Sequence, residues 1–378
     1  MKSIILLLAT TLMIVGCDRQ PDTPPSGKVV RIGVIGPFSG SDQTLGNEAI
    51  KGIRTAMQVL PLLDNGDLME LVIEDDRNDP ASTAAALEKL SGEEQVAAVV
   101  LMSTSSPALK IASVADTYET PVLALFATHP GVTNENRYVS QLCFDNEFQG
   151  AVAALFVRDE LLIDRAAVFV DPASATSRSL AKRFATKFAS VGGEIVEMVS
   201  ISRDPRDYDA VLERLSKMGV ELLYVPIDAV DVVHIAESAD RLGWRPEMIG
   251  SDGLVARATT QFEDTSVLDG TYSTDFFSSD LSWTDFGEMM EASFRSLYDT
   301  RGNTYVALGA EGYGLIRHAM NRCEDPNDRA CVNGMLRSTR NFEGFAGYIS
   351  ITPDGKPQRP VFVNAIDDGR MRFVTKVY

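Results

Sequence analysis

The strongest constraint on how this chain folds is a regular exchange between two hydrophobic periods, run through twice. From Val29, "VVRIGVIG" is a buried strand, and Ala49, Ile53, Met57 and Leu60 then mark one face of a helix. "MELVIED" is the next strand, followed by Asp79 as N-cap, Pro80 at the first helical position and an alanine-rich helix. "VAAVVL" and "PVLALF" are a third and a fourth strand, and Ser106-Pro107 opens the helix between them by the same cap chemistry. A second series begins at "AAVFV", with Leu180, Phe184, Phe188 and Val191 on the following helix. "EIVEMVS" leads to a helix marked by Val211, Leu215 and Met218, and "VELLYVP" to one that runs from Val233 to Leu242 and stops at Gly243. "EMIGSD" closes the series. Strands alternating with helices of this length build parallel sheets from βαβ units, so two series predict an α/β fold of two doubly wound, Rossmann-like lobes. Two helices follow Gly270, over 284–298 and 304–321, and then β-rich sequence from Gly347 to Tyr378. A folded part of about 350 residues exceeds one core and agrees with two domains.

The N-terminus fixes an address. Lys2 precedes an apolar stretch from Ile4 to Val15, shorter than the roughly 20 residues of a membrane-spanning helix but of signal-peptide length. Ile14-Val15-Gly16-Cys17 resembles the bacterial lipobox, in which the cysteine is lipidated after cleavage. Residues 1–17 thus read as a lipoprotein signal peptide and 18–28, polar and proline-rich, as a tether. A net charge of −18 disfavours nucleic acid and anionic surfaces as partners. Among the remaining cysteines, Cys323 and Cys331 flank a short polar loop and are expected to pair in an oxidising compartment. Cys143 is left single, as a buried small hydrophobe.

Catalytic chemistry finds little support. The glycines of "GVIGPFSGSDQTLG" match neither G-x-G-x-x-G nor a Walker loop, and no G-x-S-x-G elbow occurs. His129, His234 and His318 stand singly, without zinc-ligand spacing, and Asp75-Asp76 and Asp367-Asp368 have too few neighbouring oxygen donors for calcium. No metal, no cofactor and no enzyme is expected. A paired-carboxylate enzyme would need Asp228 and Asp252 at a separation that the sequence does not fix.

"RIGVIGPFSG", "IEDDRNDPASTAAALEKL" and "TPVLALFATHPGVT", in that order and spacing, resemble the type I periplasmic binding proteins of amino-acid ABC transporters, whose best-known members bind leucine, isoleucine and valine. The resemblance spans nearly all of the mature length. It implies two lobes joined by a three-strand hinge that closes on a ligand, with crossovers near residues 144, 275 and 347. The first lobe is then 29–144 plus 276–346, and the second 145–275 plus 347–378. It also implies a substrate-binding lipoprotein of an ABC importer, with a small-molecule ligand and permease subunits as partners. The expected place is the periplasmic face of the inner membrane, since Asp18 follows Cys17, or the outer cell surface in a single-membrane bacterium.

Ligand residues follow from the same resemblance. Ser105, with Ser106 beside it, holds the ligand carboxylate at a helix N-terminus, where free N–H groups favour anions. The next contacts fall on Phe126, Ala127 and Thr128, and the acid opposing the ligand ammonium is Asp252. Three positions depart from the leucine binders. Asp228 replaces a far-lobe tyrosine, Ala175 and Thr176 stand where an aromatic is usual, and Leu45 occupies a near-lobe aromatic site. The cleft is therefore expected to be more polar and acidic than a branched-chain pocket. Its ligand is expected to be an amino acid with a polar or cationic part, or a related amide or polyamine, and Asp228 to pair with the ligand's second positive group. The alternative function within the same fold is a tethered periplasmic regulator or sensor, for example an activator of peptidoglycan synthases.

Overall fold

The computed structural model describes residues 25–201, 207–278, 280 and 284–378. The leader, Cys17 and the tether as far as residue 24 lie outside the described residues. The first series forms β1 (Val29–Gly36), α1 (Gln43–Val59), β2 (Leu68–Asp75), α2 (Pro80–Gly92), β3 (Ala98–Leu101), α3 (Ser105–Ala112), α4 (Ala115–Tyr118), β4 (Val122–Ala124) and β5 (Val139–Gln141). Its five strands are parallel in the order β2-β1-β3-β4-β5. Both faces are covered, as an all-parallel sheet requires. Val34, Val100 and Leu123 point into one apolar cluster, and Ile35, Leu101 and Ala124 into another.

The second series comprises α5 (Asn146–Asp159), β6 (Arg165–Val170), α6 (Ala175–Ser190), β7 (Glu194–Ser200), α7 (Asp209–Lys217), β8 (Leu222–Val225), α8 (Ala229–Arg241), β9 (Glu247–Gly250), α9 (Leu254–Gln261) and β10 (Tyr272–Asp275). The chain then returns through α10 (Asp285–Tyr298), α11 (Thr304–Met320), α12 (Arg329–Arg337), β11 (Phe342–Glu343), β12 (Tyr348–Ile351) and β13 (Pro357–Gln358). It ends in β14 (Val361–Asp367) and β15 (Arg370–Val377). The second sheet has the order β15-β14-β10-β9-β8-β6-β7, with β14 antiparallel to both of its neighbours. These are the two doubly wound α/β lobes that the hydrophobic periods predict.

α11 lies on α1 so closely that a Cβ on Gly52 would stand 2.0 Å from the Val306 carbonyl oxygen, and one on Gly309 2.1 Å from that of Ala49. Glycine at both positions is what lets the late helix complete the first lobe. The predicted disulfide joins Cys323 to Cys331, ahead of and within the first turn of α12. Cys143 is free and fully buried; its thiol donates to the Leu125 carbonyl, and burial pushes it well above the usual thiol range.

The third passage between the sheets differs from the expected position. The turn that joins β12 and β13 stays on the first lobe, where the Gly355 carbonyl accepts from the Gln141 N–H at 2.9 Å. The chain crosses at 358–361 rather than near 347, because β12 pairs back onto β11 before β14 begins. At that crossing Arg359, 2% exposed, donates to Glu311 at 2.8 Å, to the Phe276 carbonyl at 3.0 Å and to the Leu142 carbonyl at 3.5 Å. One buried guanidinium thus holds all three connections, and Phe144 stacks on Phe276 beside it with ring centroids 4.2 Å apart.

Candidate ligand-binding cleft

A cavity of about 450 Å³ opens between the C-terminal ends of the strands of the two sheets. This is where open α/β sheets present loops and helix N-termini, and its size suits a small molecule.

Its near wall is built by α3 and the loop after β4. No side chain caps α3, which leaves its first-turn N–H groups available to a ligand. The helix begins at Ser105, two residues earlier than Ser106-Pro107 implies, with Thr104 at the cap position. The Thr104 hydroxyl and N–H instead donate to Asn78 Oδ1, at 3.0 and 2.9 Å, and Asn78 Nδ2 reaches Asp42 at 2.9 Å. Asp76, fully buried, anchors this loop system by accepting from Ser103, Thr83 and the Asn78 N–H. Ser105, Ser106, Phe126 and Thr128 line the cavity together. The Thr128 N–H donates to Ser105 Oγ at 3.3 Å, a long bond that a better acceptor would displace.

Three strand ends build the far wall. After β6, Asp171 accepts from the Ala173 N–H, and Ser174 caps α6. Asp228 follows β8 and caps α8, one oxygen accepting from the Val230 N–H at 3.0 Å. β9 leads to Asp252, whose Oδ1 accepts from Gln149 Nε2 at 2.9 Å, while the same nitrogen reaches Thr274 on β10. Desolvation raises the Asp252 pKa, partly opposed by the Gln149 hydrogen bond and by Arg257.

Arg257, on the first turn of α9, joins the two walls. Its Nε donates to Tyr305 Oη, on α11 of the first lobe, at 3.1 Å, and its Nη1 lies 4.0 Å from Asp228 Oδ2. Tyr305, and behind it Asp252 and Asp228, push the guanidinium above its ordinary pKa against desolvation, so it stays charged. Gly253 makes room for this contact: its φ is +72°, and a Cβ there would stand 2.5 Å from Tyr305 Oη. Beneath it the fully buried Asp275 accepts from the Gly253 N–H and from Thr304 Oγ1, and burial carries its pKa up to about 7.

The structure brings Ser105, Ser106, Phe126, Thr128, Ala175, Thr176, Asp228 and Asp252 onto one cavity. Two expected residues are absent from its lining. Leu45 is 4% exposed and belongs to the core, because it lies at helical spacing from Ala49 and Ile53 on the buried face of α1. Ala127 is fully buried, and its carbonyl accepts from Gln141 Nε2 at 2.7 Å. Beside Asp228 stands Arg257, its Nη1 4.0 Å from Asp228 Oδ2, a counter-charge that the sequence does not announce. Arg257, Asp42 and Asp171 line the cavity without having been singled out in the sequence. The available signal for Arg257 was a lone cation among the buried apolar residues of "LVARA", five positions after Asp252.

The family described as periplasmic binding protein matches residues 29–370. The chain is similar to a leucine binding protein from Thermotoga maritima, with 26% identity, a TM-score of 0.82, and coverage of 92% of this chain and 98% of that one. It is also similar in fold to a branched-chain amino acid transporter substrate binding protein from Streptococcus pneumoniae solved with isoleucine, at 22% identity, a TM-score of 0.80, and coverage of 92% and 99%. An amino acid binding protein from Pseudomonas aeruginosa is 25% identical over 59% of this chain, and the match spans 58% of that relative's length. The family and these neighbours are solute-binding proteins, not enzymes. The chain belongs to the periplasmic binding protein family.

Proposed function

We propose that this periplasmic binding protein is the substrate-binding lipoprotein of an ABC importer, capturing an amino acid or a related small polar molecule by closure of its lobes. The observation that carries this reading is the division of the cavity lining. Neutral donors (Ser105, Ser106 and Thr128) stand on one lobe and the Asp252 carboxylate on the other, facing the same space. A zwitterion satisfies both walls at once, and binding it favours the closed state in proportion to its contacts there. The names of the relatives, with leucine and isoleucine as ligands, support an amino acid. Permease subunits are the partners this reading requires. The chain is exported and anchored through Cys17, and tethering raises its effective concentration at the permease.

Isothermal titration against the twenty amino acids tests capture, and binding by none of them would overturn it. Deleting the gene should abolish uptake of the bound amino acid; unchanged uptake would favour the tethered regulator instead. Cys17→Ser should release the protein from the membrane fraction with its binding unchanged, and retention in that fraction would refute the anchor.

A further inference from the structure

The Asp228–Arg257 pair faces the cavity without closing on itself. Its separation of 4.0 Å exceeds hydrogen-bond length, and the two side chains keep 38% and 36% of their exposure. One oxygen of Asp228 is held by the Val230 N–H and the Nε of Arg257 by Tyr305. What they offer to a ligand is therefore one carboxylate oxygen and the terminal N–H groups of one guanidinium, side by side. A ligand cation set between the two would gain from Asp228 and lose to Arg257 at contact distance, with Asp42 and Asp171 elsewhere on the cavity in its favour. A ligand carboxylate would do the reverse, and would also meet Asp42 and Asp171 on the same cavity. A neutral group with an acceptor and a donor on the same carbon gains from both partners. A hydroxyl has one oxygen to serve both, whereas a primary carboxamide has an oxygen for Arg257 and an NH₂ for Asp228.

We propose that Asp228 and Arg257 together read a primary carboxamide, so that the ligand is an amino acid of the asparagine or glutamine type. This rests on the capture reading above and deepens it. Asp252 and the near-lobe donors hold the zwitterion, and the Asp228–Arg257 pair selects the side group. A site built to hydrogen-bond a polar group discriminates strongly against ligands that leave it unpaired.

Calorimetry of the wild-type protein with asparagine, glutamine, aspartate, glutamate, lysine, arginine and leucine is the first test. At least one amide should bind about tenfold or more tightly than its own acid and than the two cations and leucine. Asp228→Asn should shift the preference toward the acid by about tenfold, and Arg257→Met should weaken the amide by about tenfold while improving lysine relative to it. Melting curves establish that each variant is folded; should one not be, the wild-type ranking decides alone. An acid, a cation or leucine bound as tightly as the amides would overturn the proposal and leave capture standing. Binding by no amino acid would overturn both.

Discussion

The two walls of the cleft are made by the same kind of fold and differ in chemistry. The first lobe presents mainly hydroxyls and a helix N-terminus, with Asp42 as its one carboxylate, positioned by backbone and by buried anchors such as Asp76. The second presents three acids and a base, Asp171, Asp228, Asp252 and Arg257, after three strands that are neighbours in the sheet. Neutral donors fixed by the main chain grip any carboxylate in much the same way. Charged side chains projecting from loops set which ligand is accepted, and they are the easier of the two to change without disturbing a sheet. The lesson is a division of labour: one lobe holds, the other chooses.

The largest expected effect comes from cutting the seam that the lobes share. Arg359→Met leaves Glu311, fully buried, without its counter-charge and should cost about 3–5 kcal/mol of stability by chemical denaturation. A loss below about 1 kcal/mol would mean that the connections are held by packing alone. Next, Asp252→Asn should weaken amino-acid binding by about 2–4 kcal/mol, read by calorimetry, because the ligand ammonium is left buried without a charge. Ser105→Ala should cost about 1 kcal/mol for every carboxylate ligand alike, leaving their ranking unchanged. A changed ranking would erase the distinction between the lobes.

The last expected effect is a dependence on pH. Burial pushes the pKa of the Asp275 carboxyl up to about 7, well above the ordinary carboxylate range. Its ionised form is thus disfavoured by folding, and its contribution to stability should be full below about pH 4 and fade as pH rises through 7. Asp275→Asn should flatten the change in melting temperature between pH 5 and 8 relative to wild type, whatever its offset in absolute stability. An unchanged slope would show that another group titrates there.

The lobes were legible because hydrophobic period is a local property, and the strands of both series stand where their apolar runs lie. β5 was not legible: three residues, "VSQ", carry too little pattern to register as a strand. β12 and β13 were merged with the tail because alternation shows a strand without naming its partner. At the site, Ser105 and Asp252 could be placed because each follows a strand in the order the family keeps. Leu45 was misplaced although its spacing from Ala49 and Ile53 already assigned it to the core. Arg257 is a different case. Its meaning depends on Tyr305, 48 positions later, and on Asp228, and that proximity exists only once the second lobe meets the first.

The fold of α11 onto α1 has a consequence in time as well as in space. Tyr313 Oη donates to the Leu60 carbonyl and Asn303 to Glu48, across 253 and 255 positions of chain. The second sheet likewise lacks β14 and β15 until residue 377 has been made. Neither half is finished when its own series of strands ends, so each core closes only once a distant segment has returned to it. Long-range closure of that kind is slow. Both sheets depend for their completion on segments far from them along the chain.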